Sequence, residues 1–159
     1  MQSLAIQCRF LRRRLEWHLL GNHLFANAKA LIYGGLFFEG NEADEWLRKG
    51  MKILAREVPE QILPDGGHFE RSPMYHSIIL EDLLDVLNIT RTFPGAVPNQ
   101  SKRMLDGWRA KVADMRRWLT GMCHPDGQIA FFNDAAFKIG PEPSELEYYA
   151  ERLTMRRTE

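Results

Sequence analysis

Apolar positions recur along this chain at three- and four-residue steps, separated by polar faces and by glycine and proline, which is the spacing of amphipathic helices. Leu4, Phe10, Leu11, Leu15, Trp17 and Leu19 trace the first such pattern, with Arg9 and Arg12 to Arg14 as its solvated face and a break at Gly21. A second apolar helix is expected from Asn22 to Phe38, closed by Gly40. The third carries Trp46, Leu47, Met51, Ile53, Leu54 and Val58; an Asn41/Asp44 capping arrangement opens it and the PDGG turn at 64–67 ends it, with Pro59 late in the pattern. Ser72 before Pro73 is a start signal, because serine can accept from an unpaired N–H and proline loses nothing at the first helical position. The helix it starts runs to about Thr90, with Ile78, Ile79, Leu83, Val86 and Leu87 inward. A loop at 93–100 leads to a fifth helix, about Ser101 to Met122, on Met104, Leu105, Trp108, Val112, Met115, Trp118 and Leu119. The stretch HPDGQIAFFND is a turn followed by at most one small hairpin, and a last helix is expected behind a Ser144 cap with Glu147 in capping-box position.

These elements make an all-α chain of antiparallel helix hairpins, expected to form a single domain over 1–159. No βαβ alternation, GxGxxG or P-loop pattern occurs, and no internal repeat stands out, although short-looped helix pairs are compatible with a toroid or solenoid. Charge is balanced at 21 basic and 21 acidic residues, so no global field draws in nucleic acid or an anionic membrane, and any polyanion must be met locally. Cys8 and Cys123 stand apart with no Cys/His ligand cluster, so neither a metal site nor a disulfide framework is expected. No run reaches the ~18 apolar residues of a membrane span, and the first twenty residues are too charged for a secretory leader. A start directly inside a helical pattern fits a piece of a longer protein.

Candidate chemistry concentrates in two stretches. In DGGHFERSPMYH, 65–76, the Ser72-Pro73 start puts Tyr75 in the first helical turn, where the helix dipole and free N–H groups favour negative charge. Tyr75 and His76 are equally consistent with amphipathic residues at the rim of a core. In GNHLFANAKAL, 21–31, Asn22 and His23 open a helix and Asn27 lies about a turn beyond. An asparagine there can hold a carboxylate without bringing a full charge, or can simply cap the helix.

The run NHLFANAKALIYGGLFFEG, then WLRKGMKILAREVPEQILPDGGHFERSPMYHSIILEDLLDVLN, resembles the helical domain of the heparinase II/III-type polysaccharide lyases, a group that includes oligoalginate lyases. A fainter likeness continues in HPDGQIAFFNDAAFKIGPEPSEL. The resemblance implies an incomplete (α/α) toroid that in the whole protein precedes a large β-sandwich domain. It implies β-elimination on a uronic-acid polysaccharide without a metal or organic cofactor, and a periplasmic or secreted location. Residue by residue, it makes Asn22 the neutraliser of the substrate carboxylate, His23 a base or positioning group, and Tyr75 the proton donor to the leaving oxygen. His68, Glu70, Arg71 and His76 share the motif and with Asn27 are expected in substrate-binding or supporting roles, although Glu70 and Arg71 could equally pair with each other. The partner domain would supply the rest of the site, so this chain alone is expected to be weak or silent as a catalyst.

Two other readings remain at this level. A helical carbohydrate-binding or interaction module would keep the surface without the chemistry, and the neutral net charge favours it over a lyase for heavily sulfated chains. An inverting glycosidase would need two carboxylic acids across a cleft, for which Asp65, Glu70 and Asp134 are available.

Overall fold

The computed structural model describes residues 1–19 and 21–155, the last two by their backbone only. Six helices occur among the described residues: α1 (Gln2–Arg13), α2 (Asn22–Phe37), α3 (Asn41–Gln61), α4 (Pro73–Thr92), α5 (Asn99–Gly121) and α6 (Pro143–Met155). None of them is long and apolar enough to cross a membrane. Helices α2, α4 and α6 neighbour one another in one layer, and α3 and α5 lie behind them in a second. This is an incomplete toroid of antiparallel hairpins, with no extended strand among the described residues.

The α2–α3 pair is the most extensive packing in the molecule. It depends on two glycines whose missing side chains let the backbones approach: a Cβ on Gly35 would sit 2.5 Å from the Leu47 nitrogen, and one on Gly50 would sit 2.7 Å from the Ala28 carbonyl oxygen. The expected inward residues of α3, from Trp46 to Val58, are all buried, as are Ile79, Leu83, Val86 and Leu87 of α4, whereas Ile78, also expected inward, is only half-buried. Within the front layer, the Lys29 ammonium of α2 bonds Asp82 at 2.6 Å and Asp85 at 2.5 Å, both on α4. Burial opposes that charge, but the two carboxylates hold the lysine above its ordinary range. Asp85 also accepts from the Tyr149 hydroxyl at 2.9 Å, which ties α6 to α4.

Several helix ends differ from the sequence expectation. The first pattern does not continue to Leu19: α1 stops at Arg13, and tight turns follow, in which the Trp17 N–H reaches the Leu15 carbonyl and the Glu16 N–H donates to Asn27 Oδ1 at 3.0 Å. Periodicity persists through the turns only because Leu15 returns to the core. No residue of α1 is fully buried, and Leu4 and Phe10 stay exposed. Gly40 does not close α2. At φ +101° it is the N-cap of α3, its carbonyl accepting from Asp44, and Asn41 makes no cap bond because it is already helical. Helix α5 begins two residues early, behind Pro98. Helix α6 starts at Pro143, with the Glu145 carboxylate accepting from the Glu142 N–H at 3.1 Å. Glu147, expected in that capping role, instead forms a forked ion pair with Arg116 of α5.

A repeat that the sequence marks only by a recurring Pro-Asp-Gly triplet appears in the backbone. After α3, a Pro-Asp-Gly turn closes an isolated bridge between Ile62 and His68; after α5, a second Pro-Asp-Gly turn closes one between Cys123 and Ile129. In each, the aspartate side chain accepts from the N–H two residues on, Asp65 from Gly67 and Asp126 from Gln128, both at 3.0 Å. Gly66 and Gly127 take left-handed φ values of +91° and +84°. The repeating unit is therefore helix, hairpin turn, helix, which carries the chain from the rear layer to the front one.

Candidate active site at the starts of α2 and α4

The first hairpin turn and the cap behind it set the position of Tyr75. Ser72 caps α4 as expected, its hydroxyl accepting from the Tyr75 N–H at 3.3 Å and its carbonyl from the His76 N–H at 2.8 Å. Arg71, just before the cap, holds a left-handed φ of +54°, a backbone state that few non-glycine residues adopt. The turn itself is pressed against α5: a side chain at Gly66 would collide with the Asp114 backbone, and one at Gly67 would lie 2.5 Å from Trp118 Nε1. Gly66 thus combines a positive φ with close approach, and Gly67 shows close approach alone. Tyr75 is half-buried, packed against the core's edge.

Behind this surface runs a chain of buried hydrogen bonds that the sequence did not single out. Gln61, at the end of α3, donates through Nε2 to the Gly21 carbonyl at 3.0 Å and to Glu57 Oε2 at 2.9 Å. With its amide so oriented, Gln61 Oε1 accepts from His68 Nε2 at 3.1 Å. The His68 backbone N–H donates to His76 Nδ1 at 3.2 Å, which leaves His76 Nε2 to donate to the Met115 carbonyl at 3.0 Å. The chain thus joins the start of α2, the end of α3, the hairpin turn, α4 and α5. His68 and His76 are fully buried, and the His76 ring packs on Trp118 at 4.6 Å. Asn27 is likewise turned inward, its Nδ2 donating to Glu16 Oε2 at 2.9 Å. In this arrangement the polar atoms of His76 and Asn27 are taken up by the scaffold, and His68, buried though it is, borders the groove described below.

His76 must be neutral for this pattern, because a proton on its Nδ1 would face the His68 N–H, and a second proton on His68 would sit on a buried Nδ1 without a partner. Burial, reinforced for His68 by the neighbouring His76, lowers both from 6.5 to about 4. A histidine depressed in the fold contributes stability that is complete above its unfolded value and is lost as pH falls toward the folded one. Stability should therefore decline between pH 6.5 and pH 4, by about 2 kcal/mol per ring at pH 5. Raised carboxyls at Glu70, Glu81 and Asp82 act in the opposite sense, so the histidine share is read by comparing urea unfolding of the wild type with His68→Gln and His76→Gln at pH 7 and pH 5. Identical pH profiles in all three proteins would contradict the neutral buried pair.

At the surface end of the same scaffold, Gly21 is the N-cap of α2 at φ +80°, and Asn22 is the first helical residue, not the cap. The Glu70 carboxylate lies directly against Gly21, in the space a side chain there would need. Burial and the nearby Asp134 raise the Glu70 carboxyl, and His23 acts on it in the other direction. Asn133 Nδ2 donates to the Glu70 carbonyl at 3.1 Å, and Asn133 and Asp134 both hold left-handed backbone. His23 is half-exposed, with Nδ1 3.7 Å from Glu16 Oε2. Thus the Asn22-His23 start, Glu70 and the FND loop meet at one end of the bundle. Glu70 and Arg71 form no ion pair with each other among the described residues; Arg71 instead lines an open groove of about 470 Å³ with Asp65, Trp118, Phe132 and Asn133. Gln61 and Glu57 were not singled out in the sequence and Trp118 was read there only as part of the apolar stripe of α5, whereas Asn133 lay inside a motif already noted and only its partner was unknown.

A helical-hairpin toroid with polar helix starts gathered at one end is the class defined by these features. Residues 1–152 match the family described as Heparinase II/III N-terminus, and the chain belongs to that family. It is 43% identical over 70 residues to a heparin-sulfate lyase of Bacteroides stercoris, covering 43% of this chain and 10% of that protein. To a heparin-sulfate lyase of Pedobacter heparinus it is 26% identical over 116 residues, covering 72% of this chain and 17% of the relative. The crystal structure of a heparinase III superposes with a TM-score of 0.74 at 22% identity, over 96% of this chain and 23% of that one, which establishes the shared fold. The chain thus spans less than a quarter of the length of each of these proteins.

Proposed function

We propose that this chain is the first part of the toroid of a lyase that cleaves a heparan-type uronic-acid polysaccharide by β-elimination. The observation that carries the reading is the packing of the Asn22-His23 helix start against Glu70, five residues before Tyr75 on the segment that starts α4. In the reaction a base takes the proton from C5, the C4–O bond breaks, and a C4=C5 double bond forms as the leaving oxygen gains a proton. The difficulty is the weak acidity of C5, and donors on the adjacent carboxylate lower that barrier by stabilising the enolate-like transition state. Asn22 supplies such a donor, His23 is the base or positions the sugar, and Tyr75 protonates the leaving oxygen. Arg71, in the neighbouring groove with Trp118 and Phe132, offers a cation and aromatic surface to the sugar chain. A β-sandwich domain elsewhere in the protein completes the acid/base set.

The test is an absorbance assay for unsaturated uronide on heparan, desulfated and unsulfated uronate polymers. The full-length protein is expected to release product and the 159-residue chain none. Binding without turnover by the full-length protein would favour the carbohydrate-binding module and remove the lyase reading.

A further inference from the structure

The balanced net charge conceals a local segregation. On the face where α1 meets α3, an open groove of about 630 Å³ is lined by Arg12, Arg48, Lys49, Lys52 and Arg56, with Glu45 the one acidic lining residue. Its apolar floor is the buried Ile53, and the half-exposed Trp17 forms one end. Arg48, Lys52 and Arg56 follow at four-residue intervals along α3, so they stand about 6 Å apart on one helix face and span about 12 Å. Neighbours hold several of these cations in place, Arg48 among them, its Nε donating to the Asp44 carbonyl at 3.2 Å. Lys49 Nζ donates to the Arg12 carbonyl at the end of α1, at 2.7 Å, and Arg12 pairs with Glu45 at 2.6 Å. The Arg56 guanidinium lies over the Trp17 ring at 5.3 Å and bonds Glu57 Oε1 at 3.0 Å.

We infer that this groove is a second polysaccharide site, an exosite that grips the sulfate and carboxylate groups of a long acidic chain beside the proposed catalytic end. The inference rests on the reading of the protein as a lyase of heparan-type chains. Spaced cations along a groove with an aromatic end suit a linear, regularly charged polymer. The groove is also coupled to the other site: Glu57, which holds Arg56, accepts from Gln61, and Gln61 holds the Gly21 carbonyl at the start of α2. A chain gripped along α3 is thereby tethered to the molecule that carries Asn22 and His23, and occupancy of the groove raises the local concentration of substrate for that site.

The experiment uses the full-length protein with Arg48→Glu/Lys52→Glu, two exposed positions outside the catalytic set, and Lys52→Gln as the milder change. Binding of heparin chains and of a heparin tetrasaccharide is measured across a salt series, in a Tyr75→Phe background so that the ligand is not consumed. Turnover of both is measured with Tyr75 intact. Loss of about tenfold or more in affinity for the long chain is expected in the double variant, with a shallower salt dependence, a smaller loss in Lys52→Gln, and unchanged tetrasaccharide turnover. Unchanged long-chain affinity with unchanged salt slope overturns the exosite even if the enzyme is active. Conversely, an inactive wild type that still shows the charge-dependent loss removes the lyase reading and leaves the groove. Equal binding of single-stranded DNA, lost equally in the double variant, would make the groove a general polyanion surface and overturn its assignment to polysaccharide.

Discussion

If the proposed elimination is right, Tyr75→Phe in the full-length protein should lower kcat by about 10³-fold while leaving KM and the melting temperature nearly unchanged. The change removes one oxygen from a half-buried side chain whose contribution to the fold is its ring and backbone: the ring packs at the core's edge, and the Tyr75 N–H on Ser72 is retained. If the hydroxyl protonates the leaving sugar oxygen, its loss removes an interaction made in the transition state and leaves the bound substrate as it was. A parallel loss of stability would mean that Tyr75 holds the fold, and an unchanged kcat would take it out of the reaction. Asn22→Ala separates the second role. It should also reduce kcat, and less so on a substrate whose uronate carboxyl is esterified, because a neutral ester needs less help from an amide donor.

The largest expected effect on the fold comes from Gly35→Ala. Its Cβ would meet the Leu47 nitrogen at 2.5 Å and the Ala43 oxygen at 2.7 Å, both backbone atoms of α3 that cannot rotate away. The two helices must separate along the most extensive interface in the molecule, which costs about 2–3 kcal/mol by overpacking. Gly107→Ala is the matched control, because that glycine lies within α5 with nothing in reach of a Cβ. There the same chemical change should stabilise by about 0.5–1 kcal/mol through helix propensity. Urea midpoints of the two variants moving in opposite directions would establish that close packing, and not glycine content, governs the α2–α3 pair. A Gly35→Ala protein as stable as the wild type would refute the contact.

Neutral net charge pointed away from heavily sulfated chains at the level of composition, but the fold distributes that charge unevenly. The 21 basic residues are not spread evenly: Arg12 of α1 comes to lie beside Lys49, Lys52 and Arg56 of α3, while carboxylates such as Asp82 and Asp85 are drawn into pairs with Lys29. A count over the chain averages these two environments to zero.

Much of the helical layout was legible in the sequence because its causes are local. A buried stripe such as Trp46 to Val58 needs only its own spacing to declare a helix, and Ser72-Pro73 needs only its own chemistry to start one. The motif segments that placed the chain in its family are local in the same sense. Caps were less secure: Gly21 and Gly40 act before their helices and not after the preceding ones, since a positive-φ glycine can serve either end and only the path of the chain decides which.

The direction in which a polar side chain turns was decided by tertiary structure alone. His68, His76 and Asn27 have the same composition and spacing whether they face a substrate or a neighbour, and they became scaffold because Gln61, Met115 and Glu16 arrive from other parts of the chain to satisfy them. The same holds for the meeting of the Asn22-His23 start with Glu70, and for the basic groove. Each joins residues far apart in sequence, and a buried polar group is stable only where its partner is delivered by the fold.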